Sequence, residues 1–203
     1  MDQQIINLYD EYTHKPLPRE TFLKRLAVLA GSTAAAMAIL PMLENNYAMA
    51  TTVPEQDLEL HTEDITYPAG EVTMKAYLAK PKKEGKYGAV IIIHENRGLN
   101  AHIEDVARRA ATAGFLAIAP NALAPLVGTP ANEDEARTLF TKLNQQETQT
   151  NFINIFNYLK TRKDSNQKFG CVGFCWGGGM ANTLAVNVPE LKAAVAFYGR
   201  QAA

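Results

Sequence analysis

Cysteine and histidine are scarce in this 203-residue chain, and their positions exclude several kinds of chemistry. The two cysteines, Cys171 and Cys175, form a C-x3-C spacing that matches neither a redox C-x-x-C pair nor a zinc knuckle. On an extended strand their Cα atoms lie roughly 13 Å apart, beyond bridging distance, so no disulfide is expected. The same spacing leaves no resolving partner for thiol redox sensing. All four histidines, His14, His61, His94 and His102, precede Cys175. No ligand cluster and no dinucleotide G-x-G-x-x-G is present, so neither a metal nor an organic cofactor is expected. Charge of one sign is lacking too. The net charge is −1, and no basic run past residue 50 is longer than a pair such as Lys82-Lys83, so nucleic acid is not an expected partner. There is no internal repeat and no low-complexity tract.

What is present begins with an apolar run. Residues 26–43 read LAVLAGSTAAAMAILPML, preceded by Arg19, Lys24 and Arg25 and followed by Ala48-Met49-Ala50. Basic flank, apolar stretch and small-residue site together predict a signal-like or anchor leader over residues 1–50. A transmembrane anchor is the alternative, although the run is about the minimum spanning length. An amphipathic helix packed on the domain is another. The stretch Pro18–Lys24 resembles the twin-arginine export motif, with Glu20 in place of the second arginine. An exported or periplasmic protein is expected if the leader works, with contact to a membrane or export machinery in transit. A cytoplasmic or membrane-tethered one is expected if Glu20 disables it.

Beyond residue 51 the pattern alternates between strand and helix. Val72, Met74, Ala76 and Leu78 alternate with Thr73, Lys75 and Tyr77, and Ile65–Tyr67 precedes them across a Pro-Ala-Gly-Glu turn, which predicts a hairpin. Ala89–Ile93 is a continuous β-branched run, the mark of a strand covered on both faces. Asn100 can cap a helix burying Ile103, Val106, Ala107 and Ala110, with Gly114 as its stop. Phe115–Ala119 then returns as a strand, completing a βαβ unit. Asn132 opens a helix expected to bury Ala136, Leu139, Phe140 and Leu143, and a further helix should bury Phe152, Ile155, Phe156 and Leu159. Strand Lys168–Phe174, helix 177–187 and strand Ala193–Tyr198 follow. This order predicts an α/β fold with a mostly parallel sheet and an antiparallel hairpin at one edge.

The chemistry centres on Gly173-Phe174-Cys175-Trp176-Gly177, the cysteine form of the G-x-S-x-G turn. A strand must end and a helix begin within one residue there, which puts the nucleophile on a strained backbone at the tip. The helix start brings backbone N–H groups and a positive dipole end to the sulfur, favouring thiolate and supplying part of an oxyanion hole, with the Trp176 N–H as one donor. A glycine-rich turn around a structural cysteine is the simpler alternative. An apolar strand before the motif and a helix after it favour the nucleophile. Glu95, in His94-Glu95-Asn96-Arg97-Gly98, follows the buried strand 89–93, where α/β enzymes bind ligands. By composition alone the favoured reading of Glu95 is a loop carboxylate facing water.

GFCWGG at 173–178, VIIIHENRGLN at 90–100 and FLAIAPNALAP at 115–125 stand in an order and spacing that resemble the dienelactone hydrolase (carboxymethylenebutenolidase-like) family of α/β-hydrolases. The resemblance runs from about residue 62 to the end, and it is similar to an exported subgroup with twin-arginine-type leaders. It implies hydrolysis of a small ester or lactone through a thioester, with Cys175 as nucleophile, Glu95 helping to take the thiol proton, and the Asn96 N–H as second oxyanion donor. It also implies an aspartate after the strand that follows Ala193–Tyr198, and a histidine later still. Neither segment is in this sequence, and no histidine follows Cys175. Residues 51–203 are therefore expected to form an incomplete α/β-hydrolase domain, impaired in turnover and exposing an apolar sheet edge. The competing expectation is a non-catalytic remnant or interaction module. Dienelactone hydrolase itself places an arginine for the substrate carboxylate after the strand matching 115–119. Here Asn121–Leu126 reads NALAPL, with Pro125 near that position, which points to another ester or lactone.

Overall fold

The computed structural model describes residues 2–14, 17–43 and 51–201. It forms two compact units, Met1–Ala50 and Thr51–Ala203. In the first, α1 (Gln3–His14), α2 (Arg19–Ala30) and α3 (Thr33–Leu43) bury Ile5, Leu8, Tyr12, Phe22, Leu26 and Leu40 among themselves. Tyr12 stacks on Phe22 with ring centroids 4.2 Å apart, and the Arg19 guanidinium donates to the Tyr12 hydroxyl. The apolar run 26–43 is thus two helices, bent by 111° at a break that includes Gly31 in the left-handed region. Among the described residues no single helix is long and apolar enough to cross a membrane. The expected cleavage site, Ala48–Ala50, lies outside the described residues.

The second unit is built on a mixed sheet. Its strands are β1 (Leu60–Ala69), β2 (Val72–Pro81), β3 (Tyr87–Ile93), β4 (Leu116–Pro120), β5 (Ser165–Phe174) and β6 (Leu191–Phe197). The order across the sheet is β1-β2-β4-β3-β5-β6. β1 and β2 pair antiparallel, β2 pairs antiparallel with β4, and the β4-β3-β5-β6 block is parallel. The hairpin is therefore the antiparallel edge that the alternation predicts.

Helices cover the two faces. On one side α4 (Ala101–Thr112) buries Ile103, Ala107 and Ala111 against Ile92, Ala117 and Ala119. On the other, α6 (Gln145–Thr161) and α7 (Trp176–Asn187) pack Phe152, Ile155, Leu159, Ala181 and Leu184 against Ile91, Ile93 and Ile118. β3 supplies alternate residues to both faces, which explains its unbroken apolar run. Asn100 and Asn132 cap α4 and α5 (Glu133–Phe140) as expected, accepting from the N–H groups of Ile103 and of Asp134 and Glu135.

Two expected core stripes are thinner than the periodicity suggests. In α5 only Ala136 is fully buried; the helix ends at Phe140, and Leu143 falls in the turn that follows. In α4, Val106 and Ala110 are half-buried because they border an open apolar groove of about 890 Å³. That groove runs between α4 and the β5–β6 side of the sheet and includes Val172, Phe174, Val195 and Phe197. β6 is an edge strand, and Lys192–Phe197 are exposed along its length.

Candidate active site

The C-terminal ends of the parallel strands converge on one place. β3 pairs with β5 up to its last residue, Ile93 opposite Gly173, and β5 and β6 pair up to the last residue of both, Phe174 opposite Phe197. The segments that leave these three strands, beginning at His94, Cys175 and Tyr198, are therefore neighbours. Sequence reasoning brings the first two together through their motifs; the third it treats only as the end of a strand.

Cys175 sits at φ 53°, ψ −114°, in the single residue between β5 and α7. A non-glycine residue at positive φ outside the left-handed helical well costs on the order of 1–3 kcal/mol and persists only where its surroundings hold it. They do so here at close range. A Cβ on Gly173 would lie 1.9 Å from the Gly177 carbonyl oxygen, and one on Gly177 would lie 2.4 Å from that of Ile93 and 2.5 Å from that of His94. The first turn of α7 therefore abuts the end of β3, a fit that only glycine permits. The Cys175 N–H donates to the Phe197 carbonyl at 3.0 Å, and the Gly179 N–H donates back to the Cys175 carbonyl. Trp176 is the first residue of α7, where a helix has no carbonyl to offer its N–H.

Cys175, Glu95, Asn96 and Trp176 are all half-buried, so each is reachable from solvent. Cys171 differs. It is buried under α7, its Sγ lies 3.9 Å from the Ala181 carbonyl, and burial pushes its thiol up to about 11. Neither cysteine is in a disulfide, and only Cys175 stands at a helix start.

Two residues without an assigned role in the sequence hold Glu95. His94 is fully buried. Its Nε2 accepts the Ala122 N–H at 3.1 Å, so Nδ1 carries the proton and donates to the Glu95 carbonyl at 2.6 Å. Burial pushes this imidazole down to about 4, outweighing its backbone hydrogen bonds, so the ring is neutral. Its face stacks on Trp176 at 5.6 Å, and Phe140 and Phe152 meet the same indole edge-on. With both nitrogens engaged, His94 is a strut between β3 and the β4 exit rather than a base. Tyr198, at φ 41°, donates its hydroxyl to Glu95 Oε1 at 2.9 Å.

Of the remaining described histidine side chains, His61 pairs with Glu63 on edge strand β1, while His102, in the first turn of α4, lines the groove; burial lowers its pKa, and the charge of Glu95 acts in the opposite direction. In the loop after β3, the buried Arg97 pairs with Glu133 at 2.9 Å, tying that loop to the start of α5. After β4, Asn121 Oδ1 accepts from the Leu123 N–H and the Thr129 hydroxyl, closing the NALAPL turn on itself.

A mixed sheet of this order, with a strained strand–turn–helix at the C-terminal end of a central parallel strand, defines an α/β-hydrolase. Within that class the match is specific. Residues 74–203 match the Dienelactone hydrolase family, and the chain belongs to it. It is 48% identical over 119 residues to YghX, a hydrolase-like fragment of Escherichia coli K12, covering 57% of this chain and 98% of that one. It is 30% identical over 192 residues to a carboxymethylenebutenolidase-like protein of Methylorubrum extorquens, covering 92% of this chain and 64% of the relative. Among solved structures, a dienelactone hydrolase-like protein of Klebsiella pneumoniae superposes with a TM-score of 0.63 at 30% identity, covering 71% of this chain and 62% of that one. The chain therefore spans under two thirds of the length of the last two.

Proposed function

We propose that residues 51–203 carry the nucleophile half of a thiol hydrolase for small esters or lactones. The observation that carries this reading is Cys175 on its strained turn, one strand away from Glu95 at the end of β3. In the proposed step Glu95 accepts the thiol proton and the sulfur attacks the substrate carbonyl. The oxyanion is received by the N–H groups of Trp176 and Asn96. Collapse expels the alkoxide or phenolate and leaves a thioester on Cys175, which water then cleaves to free acid and thiol.

The second half-reaction is the weak one. It needs a group to activate water and return the proton, and His94 is neutral and engaged at both nitrogens. We therefore expect this chain to acylate faster than it deacylates. With p-nitrophenyl acetate, about one equivalent of p-nitrophenolate per chain should appear in a rapid phase followed by slow turnover. Mass analysis should find the acetyl group on the peptide containing Cys175. Cys175→Ala should lose both. Equal rates for the chain and Cys175→Ala would remove the catalytic reading and leave that of an interaction module.

A further inference from the structure

Resting on the pairing of Cys175 with Glu95 just proposed, we infer that Tyr198 is a positioning residue that holds one oxygen of the Glu95 carboxylate so that the other takes the thiol proton. Tyr198 follows β6, 103 residues from its acceptor, and no motif of the sequence points to it.

Tyr198 is 66% exposed, so burial does not account for its conformation. Its backbone lies at positive φ without being glycine, an arrangement that costs energy unless neighbours impose it. The neighbours on both sides do. The Phe197 carbonyl accepts the N–H of Cys175, and the Phe197 ring stacks on Phe174 at 5.2 Å. A Cβ on Gly199 would lie 2.2 Å from the backbone carbon of Gly178, so Gly199 is pressed onto the first turn of α7. The Arg200 carbonyl accepts from the Asn182 side chain at 2.9 Å. Residues 197–200 are therefore fastened to the nucleophile turn and helix, and the tyrosine is the one side chain of that segment shown reaching the carboxylate.

The geometry has a chemical consequence. A carboxylate at a loop end is free to swing, and only some of its rotamers can meet the sulfur. A phenol fixed to the turn that carries Cys175 couples the position of the base to the position of the nucleophile. The phenol keeps its proton throughout; the proton that moves passes from sulfur to the second carboxylate oxygen.

The test is a double-mutant cycle on the acylation phase with p-nitrophenyl acetate, using the whole chain. Tyr198→Phe should slow acylation by about three- to tenfold, the size expected for one hydrogen bond to a charged acceptor at a partly exposed site. Glu95→Gln should slow it at least as much. The double variant should match Glu95→Gln alone, because the tyrosine then has no carboxylate to hold. Failure of Cys171 to react with iodoacetamide in each variant would verify that the core stays closed. Independent, multiplicative effects of the two substitutions would overturn the inference, as would an unchanged rate in Tyr198→Phe beside a slowed Glu95→Gln. Those two results leave the role of Glu95 intact. An unchanged rate in Glu95→Gln would overturn this inference together with the Cys175–Glu95 pairing beneath it.

Discussion

Glu95 is gripped from two sides that could hardly differ more. From the β3 side its backbone carbonyl accepts from His94, a fully buried, neutral imidazole wedged between Trp176 and Phe140. From the β6 side its carboxylate accepts from Tyr198, an exposed phenol in the segment that leaves the edge strand. The first contact is paid for by the core: Ile91, Ile92 and Ile93 lead into it with almost no surface left to water. The second is held by a few backbone contacts to α7, while Val195 and Phe197 beside it remain about half exposed. The loop that carries Glu95 thus inherits its position from the most stable part of the sheet. The orientation of its side chain depends on the least covered part, the regime from which local opening and functional mobility are usually drawn.

The largest expected effect probes the buried side. Ile91→Ala removes three carbons from a fully buried site opposite Cys171 and should cost about 3 kcal/mol, read as a lowered midpoint in urea. A loss under ~1 kcal/mol would mean that β3 is no more tightly built than β6. The next concerns His94. Its folded value near 4 lies below its ordinary 6.5, so the unfolded chain takes up the proton first. This contribution to stability is complete above about pH 6.5 and is lost as pH falls toward about 4, some 3 kcal/mol over the window. His94→Gln should flatten that part of the stability–pH curve; a slope unchanged by the substitution would assign it to other groups. The smallest effect is on the exposed side. Val195→Ala, at a site 44% exposed, should change stability by no more than about 0.5 kcal/mol. A loss as large as that of Ile91→Ala would show that β6 is covered in solution.

Much of the fold is legible in the residues because the signals are local. The alternation in Val72–Leu78, the β-branched run at Ala89–Ile93, and the caps Asn100 and Asn132 each act through neighbours a few positions away, and each yields the element it predicts. Ala89–Ile93 and Ala193–Phe197 are similarly apolar, and the family resemblance, not the runs themselves, marks the second as the exposed edge of the sheet. Periodicity fails where burial depends on what lies opposite. Val106 and Ala110 have core spacing but face an open groove. In the proposed site, Cys175 and Trp176 stand out because the G-x-C-x-G turn is a contiguous pattern, whereas Glu95 and Asn96 are picked out by the family resemblance. His94 and Tyr198 do not stand out, since what distinguishes them is a partner elsewhere.

The amino-acid order alone determined the succession of strands and helices, the family, and the turn that puts Cys175 at a helix start, because each rests on spacing within a few residues. Which loops meet at Glu95 was decided only by the tertiary structure. The strand order β4-β3-β5-β6 brings the exits of β3, β5 and β6 side by side, although they are about 80 and 20 residues apart in the chain. Adjacency of that kind comes from hydrogen-bonded register between distant segments, which no short stretch of sequence encodes.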